Sequence, residues 1–146
     1  MQLLHGNMWN WREGIRVVTT NSFLRKDGSL VMGRGAAKQL ADLVPGIDHI
    51  FGKEVRKICG HLGKYGIVIL SGGYDYGIFQ VKYHFADKAD LDLIKYSTDR
   101  LNSYCWLYPW LNFHMNYPGI GNGKLSAEEV KPIINKLSDN VFVYWR

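Results

Sequence analysis

The chain has 146 residues, of which 47% are hydrophobic and 21% are charged, and its net charge is +5. These values are typical of one soluble globular domain over residues 1–146, and no apolar run reaches the roughly 20 residues that cross a bilayer. Two cysteines are too few for a disulfide framework, and the first residues lack the features of a secretory signal. We therefore expect a cytoplasmic protein with no membrane partner.

The positive charge fits an anionic partner, including nucleic acid. The basic residues are scattered, however, and only pairs such as Arg25-Lys26 and Arg56-Lys57 stand together. A mildly basic, solvated surface is therefore favoured over a dedicated nucleic-acid face.

In chain order, the first half of the sequence predicts a strand, two helices and two further strands. The strand covers residues 16–21, and the helices cover residues 35–43 and 47–62. Two short apolar runs at residues 66–71 and 78–82 predict the next strands.

The second half predicts a long helix, a strand, a shorter helix and a last strand. The long helix covers residues 89–106, and a strand at 110–115 follows it. The capping box Ser126-x-x-Glu129 opens a helix through residue 137, and residues 140–145 form the last strand. Strands that alternate with helices of this length favour an α/β fold with helices on the faces of the sheet.

Two glycine-rich segments lie where a predicted strand leads towards a helix, at residues 33–37 (GRGAA) and 119–124 (GIGNGK). Glycine lets main-chain N–H groups approach an anion closely, and a helix N-terminus adds partial positive charge. Ligands of such sheets bind beyond the carboxyl ends of the strands. Two such loops side by side therefore predict a cleft that holds a diphosphate.

Neither segment is a standard nucleotide motif. The first lacks the third glycine of the dinucleotide motif, and Lys124 is followed by Leu125 instead of the hydroxyl that binds magnesium in a Walker loop. Ordinary hydride transfer and P-loop hydrolysis are therefore disfavoured, and no cofactor is expected. No metal site is expected either, because Cys59 and His61 have no second pair at ligand spacing.

Several motifs together resemble the macrodomain family of ADP-ribose-binding modules. They are VVTTN at 17–21, VMGRGAA at 31–37 and YPGIGNGKL at 117–125, with HGNM at 5–8 and NVFVYW at 140–145. The chain is most similar to small phage and bacterial members related to ADP-ribose-1''-phosphate phosphatases. If the protein is viral, we expect it in the host cytoplasm. The resemblance covers nearly the whole chain and implies a three-layer α/β/α fold with a central mixed sheet.

The resemblance also implies how individual residues meet the ligand. The amide of Asn21 would bond the distal ribose, the two glycine loops would hold the phosphates, and Asn7 with Met8 would meet the adenine edge. Tyr144 or Trp145 would stack on the base. The implied ligand-binding residues are Asn7, Met8, Asn21, Val31, Met32, Gly33, Gly35, Ala36, Gly119, Ile120, Gly121, Asn122, Gly123, Lys124 and Tyr144.

The sequence departs from the family pattern at two places. Asn7 stands where members usually have an aspartate, so it accepts a hydrogen bond without contributing charge. The second loop lacks the aspartate of some deacylating members, which disfavours a lysine–aspartate glycohydrolase mechanism. Trp9 and Trp11, near the expected adenine side, are predicted to pack in the core, with a pocket wall as the alternative.

Asn21 and Asp27 are the candidate catalytic residues, and His84 is a more distant third. Asp27 is expected either to act as the base for a water near the distal ribose or to form an Asx turn with Gly28. His84 follows a predicted strand, where a structural role is favoured over that of a base.

Three functional hypotheses follow. The first is an ADP-ribose-binding macrodomain that hydrolyses an ADP-ribose derivative, as an ADP-ribose-1''-phosphate phosphatase or an ADP-ribosyl hydrolase. The second is a reader that binds ADP-ribose or a related signalling nucleotide without turnover. The third, a basic nucleic-acid-binding domain, is disfavoured because no basic stripe is present.

Overall fold

The computed structural model describes residues 1–10, 13–70 and 75–145. Trp11, which was predicted to pack in the core, and Ser71, the last residue of a predicted strand, lie outside these residues. The elements below are those of the described part of the chain.

Six strands form one mixed sheet in the order β1-β6-β5-β2-β4-β3. β3 pairs antiparallel with β4, and every other neighbouring pair is parallel. The mixed sheet that the resemblance implied is therefore confirmed. The strands are β1 Gln2–His5, β2 Ile15–Thr20, β3 Ile67–Ile69, β4 Tyr76–Gln80, β5 Phe113–Asn116 and β6 Val141–Trp145.

Four helices cover the two faces of the sheet and give three layers. They are α1 Gly35–Leu43, α2 Ile47–Ile58, α3 Leu91–Leu107 and α4 Ala127–Ile134. Val17 and Val18 are both fully buried but belong to different cores, because successive side chains of a strand point to opposite faces. Within the described residues, no helix is both long and apolar enough to cross a membrane.

The structure differs from the sequence predictions in one strand and in several element boundaries, including that of α4, which ends at Ile134 and not at residue 137. β1 was not predicted, since three of its four residues are exposed and it shows no apolar alternation; its pairing with β6 defines it. α2 ends at Ile58 and not at residue 62, because Gly60 and Leu62 adopt positive φ angles of 78° and 59°. β5 begins at Phe113 and not at residue 110, where Trp110 is exposed.

Candidate functional site

The carboxyl ends of five parallel strands meet at one edge of the sheet. The predicted binding segments follow or end four of these strands, namely β1, β2, β5 and β6. β2 lies between β5 and β4, so the segment that begins at Asn21 takes a central position. This edge is where an open α/β sheet binds its ligand.

Asn21 follows β2 and holds the first glycine loop in place. Its Nδ2 donates a hydrogen bond to the carbonyl of Val31 at 3.0 Å, and its Oδ1 accepts one from the N–H of Phe23 at 2.9 Å. The Tyr65 hydroxyl donates to the Asn21 carbonyl at 2.9 Å. A primary amide has two N–H groups and two lone pairs, so one of each remains for a ligand.

The first loop leads into α1 through residues with an open backbone. Val31 and Met32 are buried, whereas Gly33 and Gly35 are exposed. Gly33 has free space around it, and Gly35 adopts a φ of 58°, which suits glycine. Arg34 is the N-cap residue of α1 and has an extended backbone. Its side chain makes no capping hydrogen bond, so it does not cover the first N–H groups of α1.

The second loop contains glycines of two kinds. Gly119 and Gly123 are packed against the chain, because a Cβ at these positions would lie 2.7 Å from Ile94 and 2.9 Å from Ala89, respectively. Gly121, with a φ of 65°, faces open space beside the exposed Asn122. Ile120, which lies between Gly119 and Gly121 in the chain, is half-buried.

The two glycine loops lie directly beside each other. A Cβ built on Gly35 would be 3.5 Å from the Nδ2 of Asn122, although the two residues are far apart in the chain. The residues that flank this contact, Gly33 and Gly121, are open to solvent. Exposed main chain from both loops therefore lies side by side at this contact.

Lys82 is a further cation near the two loops, and the sequence analysis did not identify it. It follows β4 opposite Asn21, since the N–H of Val81 donates to the Thr20 carbonyl at 3.0 Å. Burial lowers the pKa of Lys82, Asp87 raises it, and Lys124 and Arg34 lower it further. These last two cations belong to the second and first loops. A charged residue at the end of the predicted apolar strand 78–82 was the available signal.

No protein-family model and no curated protein matches this sequence. Solved structures match its fold. The macrodomain of Thermus aquaticus DarG aligns with a TM-score of 0.73 and 20% identity, over 98% of this chain and 95% of that one. The macrodomain of Mycobacterium tuberculosis DarG aligns with the same TM-score and identity, over 99% and 97% of the two chains.

The chain has the macrodomain fold. A third solved structure, Thermosipho africanus DarTG in complex with ADP-ribose, aligns with a TM-score of 0.73 and 18% identity. That alignment covers 97% of this chain and 40% of the other. The three-layer α/β/α architecture that the motifs implied is confirmed.

On the expected adenine side, Asn7 caps a short 3-10 turn at Met8–Asn10. Its Oδ1 accepts a hydrogen bond from the N–H of Trp9 at 3.0 Å. Met8 is buried, and the indole N–H of Trp9 donates to Gln39 on α1 at 2.9 Å. This side chain of Trp9 thus connects the segment after β1 to the helix that follows the first loop.

The two aromatic residues that were candidates to stack on the base lie on opposite faces of β6. Tyr144 is 6% exposed, its hydroxyl is 2.8 Å from Nδ1 of His114, and burial raises its pKa to about 12. Trp145 is 45% exposed, and its ring lies 4.4 Å from that of His5. This edge of the sheet therefore presents Trp145, and not Tyr144, with an accessible ring.

Asp27 lies at the tip of a hairpin that packs on α2. Its Oδ1 accepts hydrogen bonds from the main-chain N–H and the hydroxyl of Ser29 at 2.9 and 2.7 Å, which is the geometry of an Asx turn. These bonds to Ser29 lower the pKa of the carboxyl. Asp27 lines a shallow depression with Lys53 and Arg56 of α2, whereas Asn21 contacts the first loop. A role for Asp27 as a base stays a prediction.

His84 contacts its own turn and the ring of Phe23. Its Nδ1 accepts a hydrogen bond from the N–H of Ala86 at 3.0 Å, and its ring lies 4.9 Å from that of Phe23 and 4.4 Å from that of Phe85. These contacts are those of a structural histidine. Across residues 1–10, 13–70 and 75–145, no three histidine, cysteine or acidic side chains cluster in the manner of metal ligands.

Proposed function

We propose that this chain binds ADP-ribose, with the diphosphate in the crevice between the two glycine loops. The contact between Gly35 and Asn122 carries the proposal, because it places two stretches of open main chain side by side. Arg34, Lys82 and Lys124 add positive charge at the same place. The complex of Thermosipho africanus DarTG with ADP-ribose, which shares the fold, supports the choice of ligand.

In this arrangement the distal ribose lies at Asn21, whose amide retains one donor and one acceptor. The adenine lies towards Asn7 and Met8, where Trp145 offers an exposed ring for stacking. The first loop is also shaped by three less exposed residues, Val31, Met32 and Ala36. They contribute by positioning its main chain.

A substitution at Gly33 tests the binding site with little risk to the fold. Gly33 has no atom near a built Cβ and does not need a positive φ, so Gly33→Glu introduces a charge without strain. We expect a loss of affinity of at least about 50-fold in titration calorimetry with ADP-ribose, because the carboxylate repels the diphosphate in a confined site.

The matched control is Gln2→Glu, which adds the same charge to the exposed edge strand β1. It should bind ADP-ribose like the unmodified chain. Unchanged affinity in Gly33→Glu, or tighter binding of AMP than of ADP-ribose, would contradict a diphosphate site between the loops.

We also propose, as the second candidate, that the chain hydrolyses a bond at the distal ribose of an ADP-ribose derivative. The observation that favours turnover is the position of Lys82, which follows β4 opposite Asn21 and whose pKa is lowered by burial. A desolvated lysine near other cations has a larger share of free amine, which serves as a base or a nucleophile. The substrates to compare are ADP-ribose-1''-phosphate and an ADP-ribosylated acceptor.

A product assay distinguishes the hydrolase from the reader. The chain is incubated overnight with each substrate, and release of phosphate or of free ADP-ribose is measured by chromatography. Product formation that scales with protein concentration supports the hydrolase, and tight binding without product identifies a reader.

A further inference from the structure

The hairpin at residues 24–30 and α2 together form a shallow depression with a basic lining. We call it the basic depression, and its volume is about 280 Å³. The sequence shows no continuous basic stripe but contains the pairs Arg25-Lys26 and Arg56-Lys57. The fold brings one member of each pair to this depression, which is lined by Lys26, Asp27, Gly28, His49, Lys53 and Arg56.

One wall of the basic depression is a row of side chains along α2. His49, Lys53 and Arg56 are four and three residues apart, so they share one face of the helix, and all three are exposed. At a rise of about 1.5 Å per residue, this row is about 10 Å long. Along duplex DNA each strand carries one phosphate charge per about 3.4 Å, so a row of this length can contact two or more phosphates.

The acidic side chains of this surface leave its positive charge in excess. Among the described residues that line the depression, Asp27 carries the only carboxylate, against two lysines and one arginine. Its Oδ1 accepts two hydrogen bonds from Ser29, and its Oδ2 lies 4.0 Å from Nε2 of His49. Two further acids of α2, Asp48 and Glu54, are half-buried and are not among the lining residues.

The composition of the lining favours a nucleic-acid strand as the partner. Among the described residues that line the basic depression, no side chain is apolar, and the exposed Ile58 at the end of α2 is not one of them. A protein interface has an apolar core, and a membrane-bound helix needs an apolar face. A phosphate backbone needs only cations, whose binding releases the counterions that are condensed on the strand.

We propose that the basic depression docks the phosphate backbone of a nucleic-acid strand without reading its bases. Lys26 contacts the strand from the hairpin, and Lys53 and Arg56 contact it from α2. These residues differ from those that the proposed ADP-ribose site uses, so the docking surface stands apart from the proposed function. The carboxylate of Asp27 opposes the docked phosphates and limits the affinity.

Fluorescence anisotropy with a labelled single-stranded DNA of mixed sequence tests the docking surface. Affinity should fall about 20-fold between about 50 and 200 mM salt, because three cations each contribute a slope of roughly −0.7 on single strands. Lys53→Glu and Arg56→Glu should each weaken binding at least about 10-fold at the lower salt concentration.

The matched control is Lys95→Glu, which makes the same charge change at an exposed position of α3 on the other face of the sheet. It should bind the DNA within about 2-fold of the unmodified chain. Asp27→Asn should bind about 3-fold more tightly, because it removes the opposing charge while the amide oxygen still accepts from Ser29.

Three results would overturn the proposal: equal DNA affinity in the unmodified chain and Lys53→Glu, an equal loss in Lys95→Glu, or weaker binding by Asp27→Asn. Displacement of the DNA by polyglutamate at the same concentration of charges would also overturn it, since any acidic chain would then suffice. The melting temperatures of the variants show that they are folded. Titration with ADP-ribose should give the same affinity in Lys53→Glu and Arg56→Glu, so a failure of the docking surface and a failure of the ligand site are read separately.

Discussion

Asn21 and Lys82 follow neighbouring strands, and they differ in how far their polar groups are already used. Asn21 is 4% exposed; one of its N–H groups donates to Val31, and one of its lone pairs accepts from Phe23. Lys82 is half-buried, and its Nζ donates to the Asp87 carbonyl at 3.2 Å. An ammonium group has three N–H donors, so Lys82 keeps capacity for an anion or, when deprotonated, a lone pair. Asn21 positions the loop, and Lys82 is the group that we propose to be reactive.

The chemistry of Lys82 is tested by two substitutions with different charges. Lys82→Arg keeps the cation but cannot supply a free amine, because the guanidinium stays protonated. We expect it to bind ADP-ribose within about 5-fold of the unmodified chain and to lose turnover. Lys82→Met should lose turnover and also weaken binding.

The pH profile gives an independent check of Lys82. If its amine acts as a base or nucleophile, turnover rises with pH through the lowered pKa of this lysine, since only the neutral form reacts. Turnover that falls with rising pH would show that the charge of Lys82 matters and not its lone pair.

At the scale of elements, α2 and the hairpin at residues 24–30 pack through their backbones. The N–H of Leu30 donates to the Asp48 carbonyl at 3.0 Å, and a Cβ built on Gly52 would lie 2.0 Å from the Gly28 carbonyl oxygen. Gly52 lies inside α2 although glycine is a poor helix former. The structure explains its presence, since only glycine lets the hairpin approach so closely.

Gly52→Ala should therefore reverse the usual effect of this substitution in a helix. Alanine normally stabilises a helix interior by about 1 kcal/mol, but the overlap with main chain here should lower the free energy of unfolding by about 1–3 kcal/mol. Urea denaturation measures the change. Ser103→Ala, at an exposed position of α3, is the control and should shift stability by less than about 0.5 kcal/mol. A stabilised Gly52→Ala would mean that the hairpin moves away at little cost.

At the scale of the whole molecule, two hydrophobic cores share one sheet, and a buried histidine lies on its inner strand β5. His114 on β5 is 1% exposed, with its Nδ1 2.8 Å from the Tyr144 hydroxyl. Burial, together with the smaller effect of the Arg16 cation, lowers its pKa from 6.5 to about 4. A proton on His114 is therefore disfavoured in the folded chain and tolerated in the unfolded one.

This difference makes global stability depend on pH. Between pH 6.5 and about 4, the unfolded chain binds a proton at His114 that the folded chain does not, so stability falls as the pH is lowered through this window. The full shift corresponds to about 3 kcal/mol. Urea denaturation from pH 7 to pH 5 should show the decline, and His114→Gln should flatten it. An equal slope in both chains would assign the effect to other groups.

Local patterns predicted much of the site, and long-range packing supplied the rest. Asn21 and Gly33 were identified because a polar residue after a strand and a glycine before a helix are local features. The choice between Tyr144 and Trp145 was open in the sequence, because both end an apolar strand. The register of β6 leaves only the Trp145 ring accessible, because it places Tyr144 in the core and Trp145 at the surface.

The order of strands and helices and the two glycine loops were determined by the sequence alone, since hydrophobic periodicity and glycine act over a few residues. Only the tertiary structure decided that Gly35 meets Asn122, that Lys82 lies near both loops, and that an edge strand forms at Gln2–His5. Each of these depends on residues distant in the chain, whose approach is set by the packing of helices on both faces of one sheet.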